Sequence, residues 1–223
     1  VGNPYKVTIA LPAAVANGIS TSQSLGAAGN LTINGSLASG GVANLTSANC
    51  LARRVSIASA GNDSGITWTI TGTDRSGNVQ GETITGGNAA AVSTVKDYAT
   101  VTTIRGSGAS ASTVTAGTNT SASTEWRVQD MFCGVFNVGV VTAVSGTVNY
   151  NVEYTYDDPN AALFGSIAPN SNQPPVAIAN PSFSGVTTGG QGAFTTPVFA
   201  VRATVNSGTG TLTMQLITAG LNS

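Results

Sequence analysis

Histidine is missing from this 223-residue chain, and only 8% of its residues are charged. The imidazole is the side chain whose ordinary pKa lies nearest neutrality. Its absence removes the usual general acid or base, the usual activator of a serine nucleophile and the commonest metal ligand. Cysteine is almost missing too. Cys50 and Cys133 stand alone, forming neither a CxxC pair nor a zinc constellation, and the sequence leaves a disulfide and two buried thiols both open. Basic residues are few: eight Lys and Arg against nine Asp and Glu, scattered singly apart from Arg53-Arg54. Without a basic stripe to neutralise phosphates, no nucleic-acid partner is expected. No apolar run reaches the ~18 residues of a membrane-crossing helix. The opening Val1-Gly-Asn-Pro-Tyr-Lys6 has neither the basic nor the apolar region of a signal peptide. No membrane partner is expected, and the chain reads as mature or never exported by that route.

What is present is a neutral, β-prone vocabulary. Hydrophobic residues reach 41%, enough for a core, but only 6% of residues are aromatic. Small and β-branched side chains suit closely packed sheets. Period-two alternation recurs. Over Val148–Tyr156 it places Val148, Tyr150, Val152, Tyr154 and Tyr156 on one face and Asn149, Asn151, Glu153 and Thr155 on the other. Ile66, Trp68 and Ile70 alternate with threonines, Asp74–Asn78 turns, and Val79–Thr85 returns as a hairpin, with Gly77 able to supply positive φ. Val201, Ala203 and Val205 precede a turn at 206–210, and Leu212, Met214 and Leu216 line a returning strand. Further strands are expected at Tyr5–Ala10, Arg53–Ser59, Tyr98–Ile104, Glu125–Gln129 and Val135–Val144. Helix signals are confined to Asp158–Gly165, where Asp158 can cap and Pro159 can open a turn, and to Leu11–Ala16.

The expected fold is all-β: an antiparallel β-sandwich in two tandem or packed units, 1–124 and 125–223. Arg54–Thr71 and Arg202–Thr218 echo each other as an Arg-bearing strand, a turn and a Thr-alternating strand, as two related units or any two Thr-rich hairpins would. The run Gly106–Ser123 reads as a linker or one weak strand near Ser112–Thr115. The Pro/Asn/Gly-rich loop 167–192 reads as an inter-subunit arm.

Candidate chemistry is sparse. Asp157-Asp158 reads as a strand end running into a cap, since a calcium loop needs more oxygen ligands at short spacing. Asn62-Asp63-Ser64-Gly65 and Asp74–Asn78 read as turns satisfying their own backbone. Lys6 and Lys96 lack an SxxK partner. No GxSxG elbow, Walker loop or GxGxxG start occurs, and Gly208-Thr-Gly210 sits in a turn. Trp68 and the tyrosine stripe read as core, whereas Trp126 could be core or platform. Phe183 and Phe194 are the aromatics of the long loop. No catalytic, cofactor-binding or metal residue is assigned.

Several stretches together resemble a pattern in tailed-bacteriophage virion proteins. They are Gly65–Ile84, Lys96–Ile104, Val152-Glu-Tyr-Thr-Tyr-Asp-Asp-Pro159 and the closing Val201–Gly220. The resemblance runs from about Arg53 onward and carries no chemical motif. It implies a non-enzymatic β-sandwich protein of the virion, either a capsid decoration (cement) protein or a neck or tail component. Its implied partners are the major capsid protein or neck and tail proteins, and copies of itself, as in a trimer. A glycan- or receptor-binding module using Trp126 or Phe183 is the reading from another class.

Overall fold

The computed structural model describes residues 4–10, 13–46, 51–129, 137–159 and 175–218. The chain is all-β, with antiparallel sandwich-type packing and no α-helix among the described residues. It divides into two compact units. One comprises 13–122. The other combines the opening segment with 123 onward, so the N-terminal strand joins the unit that the sequence places after 124.

That opening strand, β1, is Tyr5–Ala10. The 13–122 unit then holds β2 (Val15–Gln23), β3 (Gly29–Asn30), β4 (Ala38–Ser39), β5 (Val42–Asn44), β6 (Ala52–Ser59), β7 (Thr67–Thr73), β8 (Val79–Thr85), β9 (Ala91–Tyr98), β10 (Thr100–Gly106) and β11 (Val114–Ser123). One sheet runs β4-β5-β10-β7-β8, with β3 also on β10. The opposing strands are β2, β11, β6 and β9. Trp68, Ile70, Val101 and Ile104 from the first layer pack with Ile19, Val55, Ile57, Tyr98 and Val114 from the second in one buried cluster. The threonines alternating with Trp68 and Ile70 lie outward, as period-two geometry requires. β7 and β8 form the expected hairpin, and Gly77 sits at φ 86°.

The second unit adds β12 (Arg127–Val128), β13 (Val138–Ser145), β14 (Val148–Thr155), β15 (Ile178–Ala179), a 3-10 turn at Pro181–Phe183, β16 (Gly190–Phe194), β17 (Ala200–Gly208) and β18 (Thr211–Thr218). One sheet runs β1-β18-β13-β16. The other places β14 between β15 and β17, with β12 on β17. Ile9, Val140, Leu212, Met214 and Leu216 of the first sheet and Tyr150, Val152, Val201, Ala203 and Val205 of the second are all buried.

Several expectations are corrected. Gly106–Ser123 is no linker: most of it is β11, a ten-residue strand that buries Val114, Ala116 and Ala122. Its low complexity hides the strand because the layer there has room only for small side chains. A Cβ on Gly117 would fall 1.9 Å from the Val15 carbonyl oxygen. The closing segment is no hairpin. β17 pairs with β14 as far as Gly208, and β18 with β1 and β13 from Thr211, so Thr209 and Gly210 arch between sheets. The echoing Arg54–Thr71 does the same, since β6 and β7 also lie in different sheets. Tyr98–Ile104 is two strands meeting at Ala99. Val15 and Ala16 open β2 rather than closing a helix. The long loop is partly folded: Ile178 and Ala179 pair with β14, Val186 bridges Tyr150, and Phe183 is buried. Most of the Asp158–Gly165 helix expectation, together with Cys50 and Cys133, lies outside the described residues.

Candidate functional site

The charged side chains are the natural place to look for chemistry, and half of the described acids hold backbone. On β8, one Glu82 oxygen accepts the Val95 N–H (2.8 Å) and the other accepts the Lys96 N–H (2.9 Å) of β9. Gln80 reaches the Asp97 carbonyl from the same edge, and the Lys96 amine returns to the Gly81 carbonyl at 2.8 Å. Two strands in different sheets are thus laced by side chains acting as surrogate ladder partners. Asp74 accepts the Ser76 and Asn78 N–H groups within its turn. Asp157 accepts the Val176 N–H at 2.8 Å. Asp63 is buried and receives the Ala111 N–H at 2.7 Å.

Among the basic side chains, Lys96 and Arg53 also hold backbone. Arg53, only 4% exposed, donates to the carbonyls of Ala13 (3.0 Å) and Asn119 (2.6 Å). Burial lowers its pKa. Arg54 lies 3.7 Å from Asp97. The adjacent pair Arg53-Arg54 therefore points to opposite faces of β6, as alternation demands, and makes no joint basic patch.

The richest polar cluster covers the outer side of β14 and β17. Glu153 accepts from Arg202 Nε (2.8 Å) and the Thr204 hydroxyl (2.9 Å). The Arg202 guanidinium lies 4.5 Å from the centre of the Trp126 ring. Asn206 donates to Asn149 and Asn151. The Gly185 N–H donates to Asn151, and Asn149 donates to the Gly185 carbonyl. Each acidic, basic or amide group here is matched by a neighbour, so the cluster acts as a preformed polar surface. Neither a nucleophile with its base nor a converging metal-ligand set is assembled in it.

Neutral hydroxyl pairs extend the pattern. Thr8 and Thr213 hydroxyls lie 3.2 Å apart, Thr69 and Thr83 3.1 Å, and Thr73 and Thr100 2.7 Å, each pair bridging neighbouring strands. Strand-to-strand threonine pairs are ordinary sheet stabilisers. Here they also pave outward faces without charge.

The aromatic candidates separate. Trp68 is fully buried and so is core, while Phe183 and Phe194 are buried as well. Trp126 is half-buried, with one face under Arg202. Of the tyrosine stripe, Tyr150 is core, Tyr154 is half-buried and Tyr156 is 59% exposed, its ring edge-on to Tyr154 at 5.5 Å. The alternation stops at the end of β14, where Thr155 turns in and Tyr156 out. The lysines meet no nucleophile: Lys6 is exposed, and Lys96 holds Gly81.

Sequence reasoning missed Glu82 and the Arg202–Glu153–Trp126 cluster. An outward Glu on a hairpin edge carries no spacing signal toward the strand it will hold. The register Glu153↔Arg202 exists only once β14 and β17 pair. Comparison with protein-family models, with curated proteins and with solved structures gives no match.

Proposed function

We propose that this chain is a non-enzymatic structural protein of a tailed-phage particle, and specifically that it decorates and stabilises the capsid. The virion assignment comes from the sequence resemblance. One structural observation supports an assembly part: several charged groups, Glu82, Lys96, Glu153 and Arg202 among them, are tied to backbone or to each other, and outward faces carry hydrogen-bonded Thr and Asn pairs. A surface of this kind suits permanent contact. Docking it against a neighbour desolvates few free charges and immobilises few long side chains, the two costs that most reduce the gain from buried area. Repeated over a symmetric shell, modest interfaces add strongly. Copies arranged as a trimer would supply that symmetry.

The test is to add the purified chain to particles lacking it and to image them. Saturable co-sedimentation and symmetric density on the outer shell are the expected results. Density confined to the neck or tail would shift the assignment to that part of the virion. A chain that stays monomeric and never sediments with particles would end the proposal.

The glycan-binding alternative draws less support. Phe183 is core and Arg202 already occupies a face of Trp126, whereas a sugar platform needs an open aromatic face.

A further inference from the structure

Asp63 is the one acid whose surroundings the fold leaves unbalanced among the described residues. It is 1% exposed. Its Oδ1 accepts the Ala111 N–H, while its Oδ2 is equally buried and receives no hydrogen bond from the described protein. The neighbouring Asn62 does what the turn reading of this segment expects, accepting the Ser64 N–H and hydroxyl. Asp63 does not. It points inward, where three connections meet: 60–66, 86–90 and 107–113. The Asp63 N–H donates to the Gly87 carbonyl, Ala89 N–H donates to the Gly61 carbonyl, and Ala111 N–H completes the tie. The packing is tight. A Cβ on Gly86 would lie 2.4 Å from the Asp63 carbonyl oxygen, and one on Gly61 2.9 Å from Ala111 Cβ.

None of the three connections contains a lysine or arginine. A carboxylate removed from water with one N–H donor and no counter-charge is strongly disfavoured, and buried charges in folded proteins are paired or hold metals. The connections do contain oxygen in quantity: the Asn62, Asn88 and Ser112 side chains, and carbonyls whose second lone pair remains after one N–H.

The geometry points to a cation site at Asp63, taking a hard, oxygen-ligated ion of the Ca2+ class. Irregular connections rich in carbonyls suit the adaptable six- to eight-fold coordination of Ca2+ better than the rigid octahedron of Mg2+. The bound ion supplies the missing positive charge to Oδ2 and ties three connections of the 13–122 unit together. This site is independent of the virion reading.

The test uses the whole chain stripped with chelator. Equilibrium dialysis against Ca2+ should show one ion per chain. At about a hundredfold excess over Kd the thermal midpoint should rise by on the order of 5 °C, and Mg2+ should raise it less. Asp63→Asn should abolish uptake and shift, whereas Glu125→Gln, an exposed charge control, should retain both. Crystals soaked with Tb3+ should place the ion about 2.3–2.6 Å from Asp63 Oδ2, which locates the site even if the Asn variant fails to fold. Wild-type protein that takes up no Ca2+, an Asn variant that binds like wild type, or an ion found away from Asp63 would overturn the proposal.

Discussion

The Tyr150 hydroxyl lies 2.7 Å from the Thr142 hydroxyl, and both residues are buried between the sheets of the second unit. Tyr150 donates onward to the Thr188 carbonyl at 2.9 Å, while Thr142 accepts the Gly190 N–H at 3.0 Å. One phenol from β14 and one hydroxyl from β13 thus organise the backbone leading into the edge strand β16. Tyr150→Phe keeps the ring but leaves the Thr188 carbonyl and part of Thr142 without partners. A loss of about 1–3 kcal/mol is expected in urea unfolding. Amide exchange should accelerate first at Gly190, before the central strands respond.

Glu82 gives a second prediction. Glu82→Ala removes the acceptor for both the Val95 and Lys96 N–H groups, and should cost about 1–3 kcal/mol. Glu82→Gln keeps one carbonyl-type acceptor and should lose less. Exchange measured by NMR at Val95 and Lys96 should rise in the order wild type, Gln, Ala. Equal protection in all three would show that the β8–β9 lacing adds nothing.

Tyr98 sets an alkaline limit. Its phenol is fully buried, and desolvation, with a smaller contribution from the Glu82 charge, raises its pKa well above the ordinary value. The sign follows from proton binding. Above about pH 10 the unfolded chain has released this proton while the folded chain still holds it. Stability is therefore complete below pH 10 and falls by about 1.4 kcal/mol per pH unit above it, until the folded phenol ionises. Tyr98→Phe should flatten that part of the stability-pH curve while leaving neutral pH little changed. The Tyr98 hydroxyl reaches only the Ile70 carbonyl, at 3.5 Å.

Two glycines on paired strands should respond oppositely. A Cβ at Gly72 would sit 1.9 Å from the Thr100 carbonyl oxygen, beside the irregular register of β10. Gly72→Ala should cost several kcal/mol, roughly 2–4, because backbone must move. At Gly81 the nearest atom to a new Cβ is the Ile70 carbonyl oxygen at 3.5 Å. Gly81→Ala should be neutral or stabilising by about 0.4–1 kcal/mol through the unfolded state. Thermal melts of the two variants side by side decide this.

Local alternation made the strands legible wherever apolar and polar residues differ strongly. β1 and β8 fall where the pattern places them, and β14 departs only at its last residue. β9 was hidden because it buries Thr94 and Asp97 while leaving Val95 exposed, and β2 and β11 because small and polar residues crowd both their faces. Side chains so alike in size and polarity give period-two ordering nothing to act on. The same blandness concealed β16 inside a loop-like composition.

The chain alone determined the β class, the shortage of free charge and the turn chemistry at Gly77, because these depend on residues close in sequence. Tertiary structure decided which strand faced which. It made the closing segment an arch, sent β1 to the unit of the distant β18, turned Glu82 toward β9, joined Arg202 to Glu153, and closed three neutral connections over Asp63. Each of these pairs groups far apart along the chain, and a polar group's partner is set by the geometry of burial rather than by its neighbours in sequence.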